Sequence, residues 1–239
     1  MRVKMRDEDE TAQPLGERTG ALERLALETS IFTIGGRDWS IRSARDHAAL
    51  LDVADGLVEF PFGLLLWESA PVLAEALVER AGDIVGRRVL ELGAGAGLGG
   101  IVARALGAEA VVQTDHIAEA LVLCRWNAAA NGVSGIELRR ADWSAWTDDD
   151  LYDVVIGSDV LYDRAAHEPF AAILERNLAP GGRVLLADPG RQDTPLFLDR
   201  MRASGWRIAR TSRTVDTLLP GGADTVEIAV LDMRRGEVA

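Results

Sequence analysis

Apolar and polar residues alternate along this chain with two periods, and the switches between them mark out its elements. The first short runs, Ile31-Phe32-Thr33-Ile34 and Trp39-Ser40-Ile41, are rich in β-formers and flank Gly35-Gly36. A glycine pair supplies the positive φ angles of a tight turn, so these runs predict a small N-terminal β-hairpin. The apolar spacing then lengthens to helical over about Ala44 to Ala54. It does so again from Ser69, read as an N-cap with Pro71 in the first turn, to about Ala81. Beyond that the two periods take turns. They predict strands near 87–92, 110–114, 136–140, 153–158 and 183–187, and helices near 98–106, 117–130, 165–177 and 194–204. Such alternation builds a parallel sheet with helices on both faces. Two last runs, Arg207 to Val215 and Thr225 to Leu231, are separated by Pro220-Gly221-Gly222 with no helical segment between them, and predict an antiparallel pair. Residues 1 to about 20 mix charges with Gln, Pro and Gly without a period, which reads as a disordered or frayed tail. Residues 21–239 are then one α/β domain, long enough to bury a full core.

The most informative stretch runs from Val89 to Gly100, where an apolar run carrying the single acid Glu91 leads into glycines at 93, 95, 97, 99 and 100. A strand entering a glycine-rich loop and then a helix makes a cofactor cradle, because the backbone can come close to a ligand and the helix N-terminus offers free N–H groups. Gly95, Gly97 and Gly100 satisfy G-x-G-x-x-G, the dinucleotide pattern, although so glycine-rich a run matches it easily. Glu91 separates the alternatives. A carboxylate just before the loop repels a pyrophosphate and tolerates a cationic sulfonium.

In an open α/β sheet the ligand lies beyond the C-terminal strand ends, so acids that follow strands are candidate ligands. Asp115 ends the second predicted strand of the sheet, 22 residues after Gly93, and can accept both hydroxyls of a ribose. The same carboxylate could instead cap the helix starting near Ile117. Asp142 follows the third strand with Trp143 beside it, so the acid could accept an adenine amino group while the neighbouring ring encloses the base. Its alternative is an ordinary loop acid.

Composition narrows the classes. The chain has 26 Lys plus Arg against 38 Asp plus Glu, a net charge of −12 that repels phosphate backbones and argues against a nucleic-acid partner. Cys124 is the single cysteine, which excludes an internal disulfide, and the N-terminus carries no apolar signal core, so a reducing, cytoplasmic location is expected. No apolar run reaches membrane-spanning length, so no membrane partner is expected. His47, His116 and His167 share no metal-ligand spacing with Cys124, and no metal is expected.

Five segments together carry a family resemblance: Phe60-Pro61-Phe62-Gly63, Trp67-Glu68-Ser69-Ala70, the E-x-G-x-G-x-G loop, Asp142-Trp143, and Ser158-Asp159-Val160-Leu161-Tyr162. The chain resembles the seven-strand class I methyltransferases that use S-adenosylmethionine. Within them it is similar to the protein-lysine methyltransferases that modify valosin-containing protein and the electron-transfer flavoprotein β subunit. The resemblance spans about residues 29–231 and implies a Rossmann-like seven-strand sheet with an antiparallel C-terminal hairpin. It implies Asp159 and Tyr162 as a catalytic D-x-x-Y motif beside the transferred methyl, with Trp67 covering the cofactor. Glu91, Gly93, Gly95, Gly97, Asp115, Asp142, Trp143 and Ser158 would be the cofactor-binding residues.

Read from spacing, Asp159 follows the apolar strand Val154-Val155-Ile156, and with Tyr162 at i+3 it can share one side of a helical turn. Tyr162 and Trp67 can each also be read as packed aromatics. Asp188-Pro189-Gly190 is a turn by composition, and Arg191 after it is the one member that invites a chemical role. Asp188-Pro189-Gly190-Arg191 looks more like the flavoprotein branch, whereas Trp67-Glu68-Ser69-Ala70 departs from that branch. The implied activity is transfer of a methyl group to a lysine of a protein, with Asp159 capturing and orienting the incoming lysine. The competing readings are a small-molecule N- or O-methyltransferase and a cofactor-binding module without catalysis.

Overall fold

A computed structural model describes residues 19–54, 61–218 and 224–236. The predicted N-terminal hairpin forms from β1 (Leu27–Ile34) and β2 (Arg37–Ala44), with Gly35 and Gly36 both at positive φ in the turn. Its apolar side chains Ile34, Trp39 and Ile41 point inward and are buried. The far edge of β2 is closed by side chains. Asn127 and Asn131 each accept from and donate to its backbone at Arg42 and Ser40, over distances of 2.8 to 2.9 Å. An exposed strand edge is thereby paired without a third strand.

The sheet holds seven strands in the order β5-β4-β3-β6-β7-β9-β8. They are β3 (Arg88–Leu92), β4 (Ala110–Asp115), β5 (Ile136–Arg140), β6 (Tyr152–Ser158), β7 (Leu178–Asp188), β8 (Trp206–Asp216) and β9 (Thr225–Arg235). The first five are parallel, and β9 runs antiparallel to both β7 and β8. Both predicted features of the sheet, the parallel core and the antiparallel C-terminal pair, are therefore present. The helices are α1 (Thr19–Arg24), α2 (His47–Ala54), α3 (Ser69–Glu79), α4 (Leu98–Ala105), α5 (Ala118–Ala130), α6 (His167–Asn177) and α7 (Thr194–Ala203).

The near-continuous apolar runs of the parallel strands follow from burial on both faces. Val89, Val154, Ile156 and Leu185 pack on one side with α3 and α4, while Leu90, Val155, Val184 and Leu186 pack on the other with α6 and α7. Period two places Glu91 on the α4 side with Val89, so a carboxylate enters a buried layer. The direction in which successive strands are added to the sheet reverses between β3 and β6, which themselves run parallel. In such sheets this reversal opens a crevice at the C-terminal strand ends.

Two helix starts differ from the sequence-based expectation, and each has a local cause. Ser69 is the first helical residue of α3, with Glu68 in the capping position, because the Ala70 N–H already bonds the Trp67 carbonyl at 3.0 Å. The expected start of α2 at Ala44 moves to His47, since Asp46 accepts the Ala49 N–H at 2.8 Å and caps the helix there. A short helix, α1, begins at Thr19, and Leu22 is buried against the α5 side of the molecule. The expected tail over residues 1–18, together with Phe60 and the Pro220-Gly221-Gly222 turn, lies outside the described residues.

Candidate active site

The loop after β3 turns at Gly93, Gly95 and Gly97, all at positive φ, and delivers the chain into α4 at Leu98. Gly95 is held closely on two sides. Its φ is 54°, its N–H donates to Asp115 Oδ2 at 2.9 Å, and a side chain there would bring its Cβ to 3.0 Å from the Gly63 carbonyl oxygen. The segment from Phe62 to Trp67 therefore lies against this loop. A cavity of about 340 Å³ opens between them. Asp115, Asp142, Trp143, Ser158, Asp159 and Tyr162 also line it, so topology collects every predicted site residue at one sheet edge.

Glu91 is 1% exposed. Its Oε2 accepts the Gly100 N–H at 2.9 Å and the Gln113 side-chain amide at 2.6 Å. The carboxylate can reach Gly100 only because no Cβ intervenes, since one there would sit 2.8 Å from Oε2. Burial pushes the Glu91 carboxyl up from 4.5 to about 7, against the hydrogen bonds from Gln113 and Gly100 that pull it back. Gln113 also donates to the Gly97 carbonyl at 2.8 Å and so ties the acid to the loop. Sequence reasoning missed Gln113. Its signal was a polar residue within the apolar run of β4, which pairing sets directly beside Glu91.

Asp115 does not cap α5, whose capping position is Ile117; its Oδ1 accepts the Ile117 N–H at 2.9 Å while Oδ2 holds Gly95. Burial raises its carboxyl, and the N–H groups of Ile117 and Gly95 counter that rise. An ionised carboxylate has about four acceptor positions, so capacity remains for further donors from the cavity. Asp142 is exposed and accepts both the backbone N–H and the hydroxyl of Ser144 at 2.8 Å, contacts that lower its pKa. Those bonds hold the short 3-10 turn Trp143–Ala145, and the Trp143 ring packs on Phe170 at 5.1 Å.

A family comparison adds to this geometry. The lysine methyltransferase family matches residues 47–203, a span that contains every cavity residue named above. The chain belongs to the lysine methyltransferase family. It is 34% identical over 175 residues to protein N-lysine methyltransferase METTL21A of Danio rerio, covering 70% of this chain and 72% of that protein. It is 28% identical over 127 residues to histone-arginine methyltransferase METTL23 of Xenopus laevis, covering 51% and 54%. The chain spans about half the length of several curated relatives it matches. Among solved structures, the 16S rRNA N2 G1207 methyltransferase RsmC of T. thermophilus, in complex with AdoMet and guanosine, superposes with a TM-score of 0.57 at 20% identity. That match covers 88% of this chain and 51% of RsmC, and shows a shared fold.

In this family member the D-x-x-Y segment is not a helical turn, contrary to the expectation from its i, i+3 spacing. Asp159 has φ 53°, the one positive value outside glycine among the described residues, and its N–H donates to the Ala187 carbonyl at 2.8 Å. A left-handed residue breaks a helix at its start. Asp159 consequently turns inward, 8% exposed, while Tyr162 is 51% exposed at the cavity rim with its ring 6.3 Å from that of Phe62. Ser158, the last residue of β6, pairs with Ala187 and is partly buried.

Both Asp159 oxygens are engaged by one guanidinium. Arg191 donates from Nε to Oδ1 at 2.9 Å and from Nη2 to Oδ2 at 2.5 Å, and its Cζ lies 5.4 Å from the centroid of the Trp67 ring. Burial raises the Asp159 carboxyl and Arg191 draws it back down. Trp67 is fixed in turn by its indole N–H, which donates to the Phe62 carbonyl at 3.1 Å. Among the described residues no group of three or more His, Cys, Asp or Glu could hold a metal ion.

Proposed function

We propose that this protein uses S-adenosylmethionine to N-methylate a lysine side chain of a protein substrate. The observation that carries the reading is the coincidence of the lysine methyltransferase family match with the cavity at the strand reversal. METTL21A, named for protein N-lysine methylation, supports the acceptor class. The residues present suit the cofactor. A cavity of this volume lies within the roughly 300–1,000 Å³ range of small-molecule sites. Glu91 places an acid beneath the loop where cationic charge is to be held, and Asp115 keeps acceptor capacity for ribose hydroxyls. Asp142 and Trp143 would bound the adenine, and Gly93, Gly95 and Gly97 would let the backbone approach. When bound, the cofactor supplies an electrophilic methyl group on a sulfonium.

The protein's part is alignment and exclusion of water. Trp67 and Phe62 close one side of the cavity and Tyr162 lines its rim, so an incoming aliphatic chain is bounded by rings. Asp159 orients the nitrogen, and Tyr162 helps to position it. No covalent enzyme intermediate is needed, and the proton of the acceptor leaves to water.

Calorimetry with S-adenosylmethionine, its demethylated product and NAD tests the cofactor assignment. Binding of the first two and not of NAD is expected. Tight NAD binding without response to S-adenosylmethionine would contradict the assignment. No described helix is long and apolar enough to cross a membrane, and we place the reaction in the cytoplasm on the reducing character implied by the lone Cys124.

A further inference from the structure

Lysine methylation poses an electrostatic difficulty at Asp159. The acceptor must arrive as a neutral amine, yet a bare buried carboxylate stabilises the ammonium form and holds the proton in place. The surroundings deepen the difficulty. Glu68, just before α3, and Asp188, at the end of β7, act electrostatically on both Asp159 and Arg191, and Asp163 lines the same cavity. His116 and Asp115 face the cavity from the β4 end.

Arg191 lies within this acidic group, and its placement is constructed. Asp188 Oδ1 accepts the N–H groups of Gly190 at 2.7 Å and Arg191 at 3.2 Å and the Thr194 hydroxyl at 2.9 Å, which fixes the turn that aims the side chain. The guanidinium then meets Asp159 through two parallel bonds and rests over Trp67. Bidentate pairing of this kind is geometrically specific, and lysine cannot reproduce it.

We propose that Arg191 is a positioning residue that neutralises Asp159, so that the acceptor amine meets an ion pair in place of a bare carboxylate and releases its proton before transfer. Asp159 keeps its orienting role through lone pairs not used by Arg191. The released proton goes to water at the cavity mouth. The nitrogen lone pair then forms the N–C bond as the C–S bond breaks, its electron pair returning to sulfur. The inference rests on the lysine-methylating reading above.

The test is the pH dependence of single-turnover methyl transfer to a protein acceptor identified by labelling, for wild type, Arg191→Met, Arg191→Lys and the double variant Arg191→Met/Asp159→Asn. Calorimetric affinity for S-adenosylmethionine monitors folding of each. In Arg191→Met the amine and the unpaired carboxylate share a proton, so the acid limb of the profile should move to higher pH by about one to three units. The rate near neutral pH should then fall at least about tenfold and recover at alkaline pH. Arg191→Lys should keep its limb close to that of wild type, and the double variant should return to it. A loss in Arg191→Met by the same factor at every pH, or a shift that persists in the double variant, would overturn the proposal while leaving lysine methylation intact. Absence of lysine methylation by the wild type would contradict the underlying reading, and the inference with it.

Discussion

At the scale of single residues, this site places carboxylates where water cannot stabilise them and then surrounds them with donors. Glu91 shows the consequence most directly. Its pKa in the native state is about 7, against 4.5 for the free side chain, so the folded protein holds this proton more tightly than the unfolded chain does. Below about 4.5 both states are protonated and stability is unaffected. Between 4.5 and 7 stability falls as pH rises, and above 7 the full cost of a buried charge remains, about 3 kcal/mol. Glu91→Gln keeps an oxygen that can accept from Gly100 and Gln113 but carries no charge. Its unfolding free energy should lose that slope and exceed wild type by up to about 3 kcal/mol above pH 7. Its affinity for S-adenosylmethionine should drop, whereas wild-type affinity should rise as pH passes through about 7, because only the ionised acid complements cationic charge. Denaturant titrations and calorimetry across this range check both outcomes. A variant with undiminished affinity at every pH would remove Glu91 from the cofactor site.

At the scale of elements, loops and strands are held together by a few side chains that reach far along the sequence. Asn127, on α5, donates to the Ala96 carbonyl of the glycine loop at 2.8 Å while pairing with Arg42 on β2, so one amide joins the N-terminal hairpin to the glycine loop. Asn127→Ala leaves three buried or half-buried backbone groups without their partner. At roughly 1–3 kcal/mol for the buried Ala96 carbonyl, and less for the two half-buried Arg42 groups that water can reach, a loss of about 2–4 kcal/mol is expected, together with weaker cofactor binding. Hydrogen exchange should show the loss of protection concentrated in β2 and the glycine loop. Uniform destabilisation with unchanged affinity would show that the hairpin and loop are not coupled through this residue. Gly95→Val tests the other contact of the same loop. A β-branched residue at φ 54° is strained, and its Cβ would press on the Gly63 carbonyl, displacing the Phe62–Trp67 segment. Calorimetry should find cofactor binding abolished with the fold largely retained. Unchanged affinity would mean that the loop and this segment do not form the ligand's walls.

At the scale of the whole molecule, what was legible in the sequence follows a physical division. The runs around Val89, Val111, Val154 and Val184 announced buried parallel strands because alternation of period two and 3.6 is a local property, and Gly35-Gly36 announced its hairpin for the same reason. The glycine loop and the acids at 115, 142 and 159 could be read as site residues because strand ends in a parallel sheet converge on one edge. The Asp159–Arg191 pair was not legible, since its partners are 32 residues apart and meet only after β7 is laid beside β6. The same holds for Asn127 and Arg42, which are 85 residues apart. Even the helical expectation for the segment from Asp159 to Tyr162 failed on one backbone angle that no side-chain pattern encodes.

The reversal of strand order, the acids lining the cavity and the family match support the proposed methyl transfer to protein lysine. The measurement that tests this most directly combines purified protein, methyl-labelled S-adenosylmethionine and cell lysate, followed by peptide mass spectrometry of whatever takes up label. Asp159→Asn provides the internal comparison, because Asn tolerates the left-handed backbone at this position while removing the charge and one of the two oxygens that accept from Arg191. The account predicts label on lysine side chains with wild type. With Asp159→Asn it predicts transfer slower by roughly 10² or more at nearly unchanged cofactor affinity. Label confined to small molecules, or to arginine, would contradict it.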